Sequence, residues 1–153
     1  MPQNERELDE TDHDIMTLLS EDARRPLADI AKRVHLSSPA VKRRLDRLER
    51  LKVILGYTVR LDHAKLGRPL EAFTELRFAG TTPVDEIASI AENIPEVQAV
   101  FTTAGDPDAL VWIRVKDVAD LKRVVDDLRR SGRVTGTKTL MVLGTSARVA
   151  SPL

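Results

Sequence analysis

The segment from Pro26 to Tyr57, PLADIAKRVHLSSPAVKRRLDRLERLKVILGY, permits few arrangements. Leu27, Ile30, Ala31 and Val34 recur at helical spacing behind Pro26, and Val41, Leu45 and Leu48 do so again a short turn later. Between the stripes, Ser37 or Ser38 can accept hydrogen bonds from the free N–H groups of the next turn. Pro39 suits the first helical position, where a missing N–H costs nothing. The second stripe leaves Arg43, Asp46, Arg47 and Arg50 on the opposite face. Two helices joined by a tight turn, the second with an apolar back and an Arg-rich front, have the form of a DNA recognition unit.

Charge supports that reading only when taken locally. The 153 residues carry no net charge. Residues 1–22 hold one Arg against eight acids, whereas residues 32–52 hold eight Lys and Arg against Asp46 and Glu49. Phosphate responds to the local field, not to the chain total. The apolar fraction of 42% suffices for a core, and the absence of cysteine removes disulfides, thiol nucleophiles and thiolate metal sites. No apolar run reaches the length of a membrane helix, and the acidic start MPQNERELDETDHD is unlike a secretory signal. The expectation is a cytoplasmic protein that does not enter a membrane.

Periodicity orders the rest. Leu8, Ile15, Leu18 and Leu19 mark a first helix, with Thr11 or Asp12 as candidate caps, and Val53 to Val59 around Gly56 suggests a β-ribbon acting as a wing. Residues 1–60 therefore read as a winged helix-turn-helix domain, and 61–69 as a linker. Residues 70–153 carry strand patterns at 71–79, 97–104, 109–115 and 134–143. Helix stripes lie at 84–94 and 121–128, and Arg148 to Leu153 reads as a frayed tail. That βαββαβ order describes a ferredoxin-like sandwich, so the fold class is α+β.

Along helix 3, Ser37, Ser38, Lys42, Arg43 and Arg47 are best placed for a groove, because recognition helices address base edges with their N-terminal part. Arg43 could bond guanine O6 and N7 in parallel. Arg50, Lys32 and Lys52 suit phosphates, and Arg44, flanking the apolar stripe, suits a bond within the domain. The bland alternative for any basic helix is a solvated face. Gly105-Asp106-Pro107-Asp108 is by itself a strong turn signal between two strands. His13, His35 and His63 lack carboxylate neighbours at ligand spacing, so no metal or cofactor is expected. Trp112, on an alternating strand, suits a core or a dimer interface.

The chain resembles the leucine-responsive/asparagine (Lrp/AsnC) regulator family over residues 8–146. The resemblance rests on LDETDHDIMTLLSEDARRPLADIAKRVHLSSPAVKRRLDRLERLKVILGYTVRLDHAKLG and on PEVQAVFTTAGDPDALVWIRV, with its Gly-Asp-x-Asp turn between strands. It implies a winged helix-turn-helix reader of double-stranded DNA, a hinge, and an ACT-like (RAM) domain that dimerises and assembles dimers into octamers. It also implies amino acids or related metabolites as effectors. By that resemblance the effector loop comprises Gly105, Asp106 and Asp108, with Thr102, Thr103, Thr135, Thr137 and Thr139 as hydroxyl donors. Backbone N–H groups would meet a carboxylate and an aspartate an ammonium. Three positions depart from the family pattern. His35 and Lys52 stand where glycine is common, and Pro107 where an aromatic residue is usual.

The expectation is a sequence-specific transcriptional regulator, not an enzyme, whose operator binding or assembly responds to an amino-acid-like effector. An enzyme on a dimeric ferredoxin-like fold would need a catalytic group, and the C-terminal half has neither histidine nor cysteine. A module binding only proteins would leave the basic helix without a role.

Overall fold

The computed structural model describes residues 7–80, 89, 91, 93–130 and 132–145. Its contacts divide the chain into two compact units that part between Arg60 and Leu61.

The first unit contains helices α1 (Glu10–Glu21), α2 (Leu27–Arg33) and α3 (Ser38–Arg50). Ile15, Ile30, Ala31, Val41 and Leu45 form its buried core, with Leu18, Leu27, Val34 and Ile54 packed against them. The cap of α1 is Asp9, earlier than the expected Thr11 or Asp12. The Asp12 N–H donates to the Asp9 carboxylate (2.9 Å), and the Asp9 N–H donates back to the Asp12 carboxylate (3.1 Å). This reciprocal box satisfies two donors that a helix start leaves free. Ser37 caps α3 by accepting the Ala40 N–H at 3.3 Å. Ser38 is then the first helical residue and Pro39 the second, one place later than expected.

Both α2 and α3 end in the same way. The Leu36 N–H reaches back to the Ala31 carbonyl (2.9 Å), and the Val53 N–H to the Leu48 carbonyl (2.9 Å). The residue before each donor is left-handed: His35 has φ +55° and Lys52 has φ +59°. Glycine is the usual occupant of that position, because it has no Cβ to clash there.

The helix end of α3 also accounts for a difference from the sequence reading. No strand forms among residues 53–59, so the wing is absent as a β-ribbon. The Val53 and Ile54 N–H groups both bond the Leu48 carbonyl, which ties the first arm of the expected ribbon to the helix terminus. The rest forms no regular element, is held to α3 where the Tyr57 hydroxyl meets Glu49 (2.9 Å), and leaves Leu55 and Val59 87% and 76% exposed.

The second unit is a four-stranded antiparallel sheet, β1 (Leu70–Phe78), β2 (Val97–Thr102), β3 (Ala109–Val115) and β4 (Val134–Met141), in the order β2-β3-β1-β4. Helix α4 (Val118–Arg129) precedes β4 and is capped by Asp117. Alternation decides the faces. Ala72, Leu76, Ala109, Val111, Ile113 and Val115 join Leu121, Val124 and Leu128 of α4 in one core. The expected helix over 84–94 falls largely outside the described residues, although Ala91 is buried in this core, and the tail from Arg148 lies wholly outside them.

The other sheet face is mixed: Glu71, Glu75, Arg77, Arg114 and Lys138 surround an apolar patch that is partly exposed among the described residues. Phe73 and Trp112 pair across β1 and β3 with nearly parallel rings 6.4 Å apart. Leu140 lies opposite Phe73 in register and Phe101 opposite Leu110, one pair along the same face, and both are half exposed. The Arg114 guanidinium lies 5.1 Å from the centre of the Trp112 ring, and Glu71 accepts from both side chains.

Candidate functional site

Helix α3 presents its basic side chains in two directions. Val41, Leu45 and Leu48 are buried, and this orientation leaves Lys42, Arg43, Asp46, Glu49 and Arg50 in solvent. Among the described residues, Arg43 and Arg50 pair with no acid, so both guanidinium groups are free to meet phosphate or a base edge. Lys42 pairs with Asp46 one turn on, and its ammonium holds its proton more firmly for that hydrogen bond. Both partners of that pair are about half exposed. An exchange of partners with a phosphate therefore carries little penalty, since exposed pairs of this kind contribute about 0–1 kcal/mol.

Arg44 and Arg47 are placed differently. Sequence periodicity puts Arg47 on the solvent face with Arg43; in the structure it turns against α1. Its Nη2 donates to Asp12 Oδ2 at 2.6 Å, and Asp12 is fully buried. Arg44 Nη1 donates to the other oxygen of Asp12 (2.8 Å) and to Asp9 Oδ2 (2.7 Å), the bond within the domain that its flanking position suggested. The Asp12 N–H and then the Arg44 guanidinium hold the Asp9 carboxyl below the usual carboxylate range. The same two carboxylates, Asp12 foremost, push the Arg44 guanidinium upward. Two basic residues of α3 are thus engaged with α1.

In the second unit, the loop between β2 and β3 is tied to β1. The Asp108 carboxylate accepts the Phe78 N–H (2.8 Å), and the Asp108 N–H donates to the Leu76 carbonyl (3.1 Å). One carboxylate of the Gly-Asp-Pro-Asp turn therefore holds the backbone in shape. Asp106 is 73% exposed and accepts from Arg77 Nε at 2.6 Å. The Asp106 carboxylate, by that hydrogen bond, raises the Arg77 pKa above its ordinary value. Thr103 donates its N–H to the Asp108 carbonyl (3.0 Å) and its hydroxyl to the Pro107 carbonyl, across a cis Asp106–Pro107 peptide bond.

Of the threonines, Thr103 lies in the loop and Thr102 at the end of β2 beside it. The Thr135 hydroxyl bonds the Arg77 carbonyl (3.1 Å), next to the residue that grips Asp106. Thr137 bonds Arg129 of α4, and the Thr139 hydroxyl pairs with that of buried Thr74 (3.0 Å), farther along the sheet. Gly105, Asp106, Asp108 and Thr103 are brought together, with Thr102 and Thr135 adjacent; Thr139 is not. Arg77 escaped the sequence reading. Its only local signal is being the single base of the strand LEAFTELRF, and its partner lies 29 residues on.

Comparison with known proteins bears on both units. Residues 8–49 match the AsnC-type helix-turn-helix domain, and residues 71–149 match the Lrp/AsnC ligand binding domain. The chain is 36% identical over 136 residues to the HTH-type transcriptional regulator Rv2324 of Mycobacterium tuberculosis, covering 89% of this chain and 92% of that one. It is 30% identical to the regulator LysM of Saccharolobus solfataricus, covering 90% and 95%. Among solved structures, the transcriptional regulator NMB0573 of Neisseria meningitidis in complex with L-Met superposes with a TM-score of 0.87 at 26% identity, covering 95% and 97%. The leucine response regulatory protein LrpA of Mycobacterium tuberculosis gives 0.81 at 28% identity, covering 95% and 99%.

Proposed function

This chain belongs to the Lrp/AsnC family of helix-turn-helix transcriptional regulators, DNA-binding proteins and not enzymes, and from that premise we propose how its residues divide the work. Arg43 and Arg50 carry the proposal: they face solvent on α3, behind the Ser37 cap, with no acid among the described residues to neutralise them. Arg43, with Ser37, Ser38 and Lys42, reads base edges from the N-terminal half of α3. Arg50 anchors phosphate. The N-terminal unit to residue 60 is the reader, 61–69 the connection, and 70–153 the sensing and assembling part.

The partly exposed apolar patch of Phe73, Trp112, Phe101 and Leu140 supports a homodimer formed by pairing of two such faces. Residues 55–61, with Leu55, Tyr57, Val59 and Leu61 exposed, offer a second apolar strip to the same end. Assembly of dimers into octamers is the further step the family suggests. The effector is an amino acid or a related metabolite, a class supported by the L-Met complex of the Neisseria relative. Asp106 meets its ammonium, while Gly105 and the threonines beside it supply polar partners. Asp108 acts from beneath by fixing the loop. Such an effector favours one assembly geometry over another and so changes how many reader helices meet successive half-sites. The protein works in the cytoplasm, beside the DNA it binds; among the described residues no helix is long and apolar enough to cross a membrane.

The test is a mobility shift on the promoter beside the protein's own gene at several salt concentrations. About four to six phosphate contacts per half-site pair predict a log–log slope of roughly −3.6 to −5.4. A slope near zero removes α3 from the groove. A thermal-shift screen of amino acids and keto acids tests the effector, since a ligand of the native state alone raises apparent stability.

A further inference from the structure

Asp12 is the one fully buried carboxylate among the described residues, and its two oxygens face two arginines of α3. Arg47 has a single side-chain partner, Asp12, besides a 3.4 Å contact from its guanidinium to the Glu7 carbonyl. Its Nε is buried and finds no acceptor. Arg44 is held twice, by Asp12 and by Asp9. The arginines and Asp9 line a surface depression of about 360 Å³ together with Arg43, Leu36 and Ala40. The Arg47 side chain, only 23% exposed and with a buried Nε, is thus held on the α1 side of α3 with Asp12 as its charged partner.

We propose that Asp12 is a positioning residue for DNA recognition: by holding Arg47 against α1 it decides which arginines of α3 reach the nucleic acid. The carboxylate acts through charge. A buried anion that loses its cations is penalised heavily, so Asp12 retains Arg47 when phosphate approaches, whereas the exposed Asp46 can release Lys42. With Arg47 withdrawn, contact falls to Arg43 and Arg50, and fewer non-specific phosphate contacts compete with base reading. Asp9 serves as a second anchor for Arg44 alone, so loss of the Asp12 charge releases Arg47 in preference to Arg44. The inference rests on α3 being the reading helix.

The experiment measures binding of the full-length protein to a long mixed-sequence duplex as a function of salt, for Asp12→Asn, Arg47→Gln, the double variant and Arg43→Gln. Asp12→Asn keeps the side-chain shape and removes the charge. Its slope should steepen by about 0.9 for each reader helix engaged, one phosphate contact more, with tighter binding to this DNA at low salt. Arg47→Gln alone should leave the slope at the parent value, and adding it to Asp12→Asn should restore that value. A loosened fold would not be reversed by the second substitution, so reversal separates positioning from a purely structural role. An unchanged slope in folded Asp12→Asn overturns the proposal. So does a shallower slope in Arg47→Gln, which would mean that Arg47 already meets DNA. Should Asp12→Asn fail to fold, Arg47→Gln decides alone by the same criterion. An unchanged slope in Arg43→Gln removes α3 as the reader, and this inference falls with that reading.

Discussion

Replacing His35 by glycine should stabilise the reader unit, although the change deletes a side chain and adds no contact. His35 is exposed and sits at φ +55°, the left-handed position that closes α2. There the Cβ of an L-residue crowds the following carbonyl, at roughly 1–2 kcal/mol. Glycine removes that clash, and the freedom it adds to the unfolded chain takes back about 0.4–1 kcal/mol. The net gain is about 0–1.6 kcal/mol, centred on about 0.8, or roughly 3–6 °C in midpoint for a unit of this size. Lys52, at φ +59° beyond α3, offers the same relief. It also places a cation past the C-terminal end of the helix, worth about 0.3–1 kcal/mol, so Lys52→Gly should be nearly neutral. The assay is urea unfolding of the full-length protein followed by circular dichroism, comparing midpoints at constant slope. His35→Ala is the control, because it keeps the Cβ and should gain nothing. A destabilised His35→Gly, or a His35→Ala that stabilises equally, would refute the reasoning.

On the operator, Arg43→Ala should cost about 1–3 kcal/mol and relax preference at one base pair per half-site, whereas Arg50→Ala should weaken all sequences alike. Mobility shifts on operator and random DNA distinguish these, and equal losses on both would abolish the division. Asp108→Ala should destabilise the sensing unit by about 1–3 kcal/mol, because it strands the Phe78 N–H. Asp106→Ala should leave stability nearly unchanged while removing the effector response; calorimetry with whichever metabolite the screen returns checks this, and undiminished affinity would place the ligand elsewhere. Acid should destabilise both units. Asp9 is held low first by the Asp12 N–H and then by Arg44, Asp29 by Arg25 and Arg33, Asp120 chiefly by Arg123, and Asp126 chiefly by Lys122. The unfolded chain therefore takes up protons first, so this stability is complete above the ordinary carboxylate range and is lost as pH falls through the lowered folded values. Thermal midpoints from about pH 6 to about pH 3 should decline, and Asp9→Asn should flatten part of the decline.

What was legible in the sequence was what repeats. The stripe Val41, Leu45, Leu48 and the alternation in ALVWIRV each report a period that burial enforces, and the structure keeps both. The wing was misread because Val53 and Ile54 have strand composition, while their N–H groups are captured by the end of α3. The strain at His35 and Lys52 was visible only as an unexpected residue where glycine is usual. Arg47 and Arg77 were harder, for the same reason. Asp12 lies 35 residues from Arg47, and Asp106 lies 29 from Arg77. Charge pairing across a fold leaves no periodic trace, so a helical wheel sends Arg47 to solvent with Arg43 and singles out only Arg44, beside the apolar stripe.

That redistribution of charge bears on how such a regulator is controlled. Of the eight basic residues in 32–52, Arg33, Lys42, Arg44 and Arg47 are engaged by acids of the same unit. Among the described residues Lys32, Arg43, Arg50 and Lys52 pair with no acid, and on the proposed reading they would meet DNA without any exchange of partners. Four cations correspond to a salt slope of at most about −3.6 from one reader, which is a modest electrostatic hold at physiological salt. Base contacts from a single short helix add about 1–3 kcal/mol per good bidentate pair. Joining two readers makes the second encounter intramolecular, and avidity then rises by about 10²–10⁴ without any new contact. In a chain whose reader is this lightly charged, occupancy of the operator depends more on how many readers are joined than on any one of them. A ligand that altered assembly through the second unit, as proposed, would consequently have a large effect on DNA while touching no residue of α3.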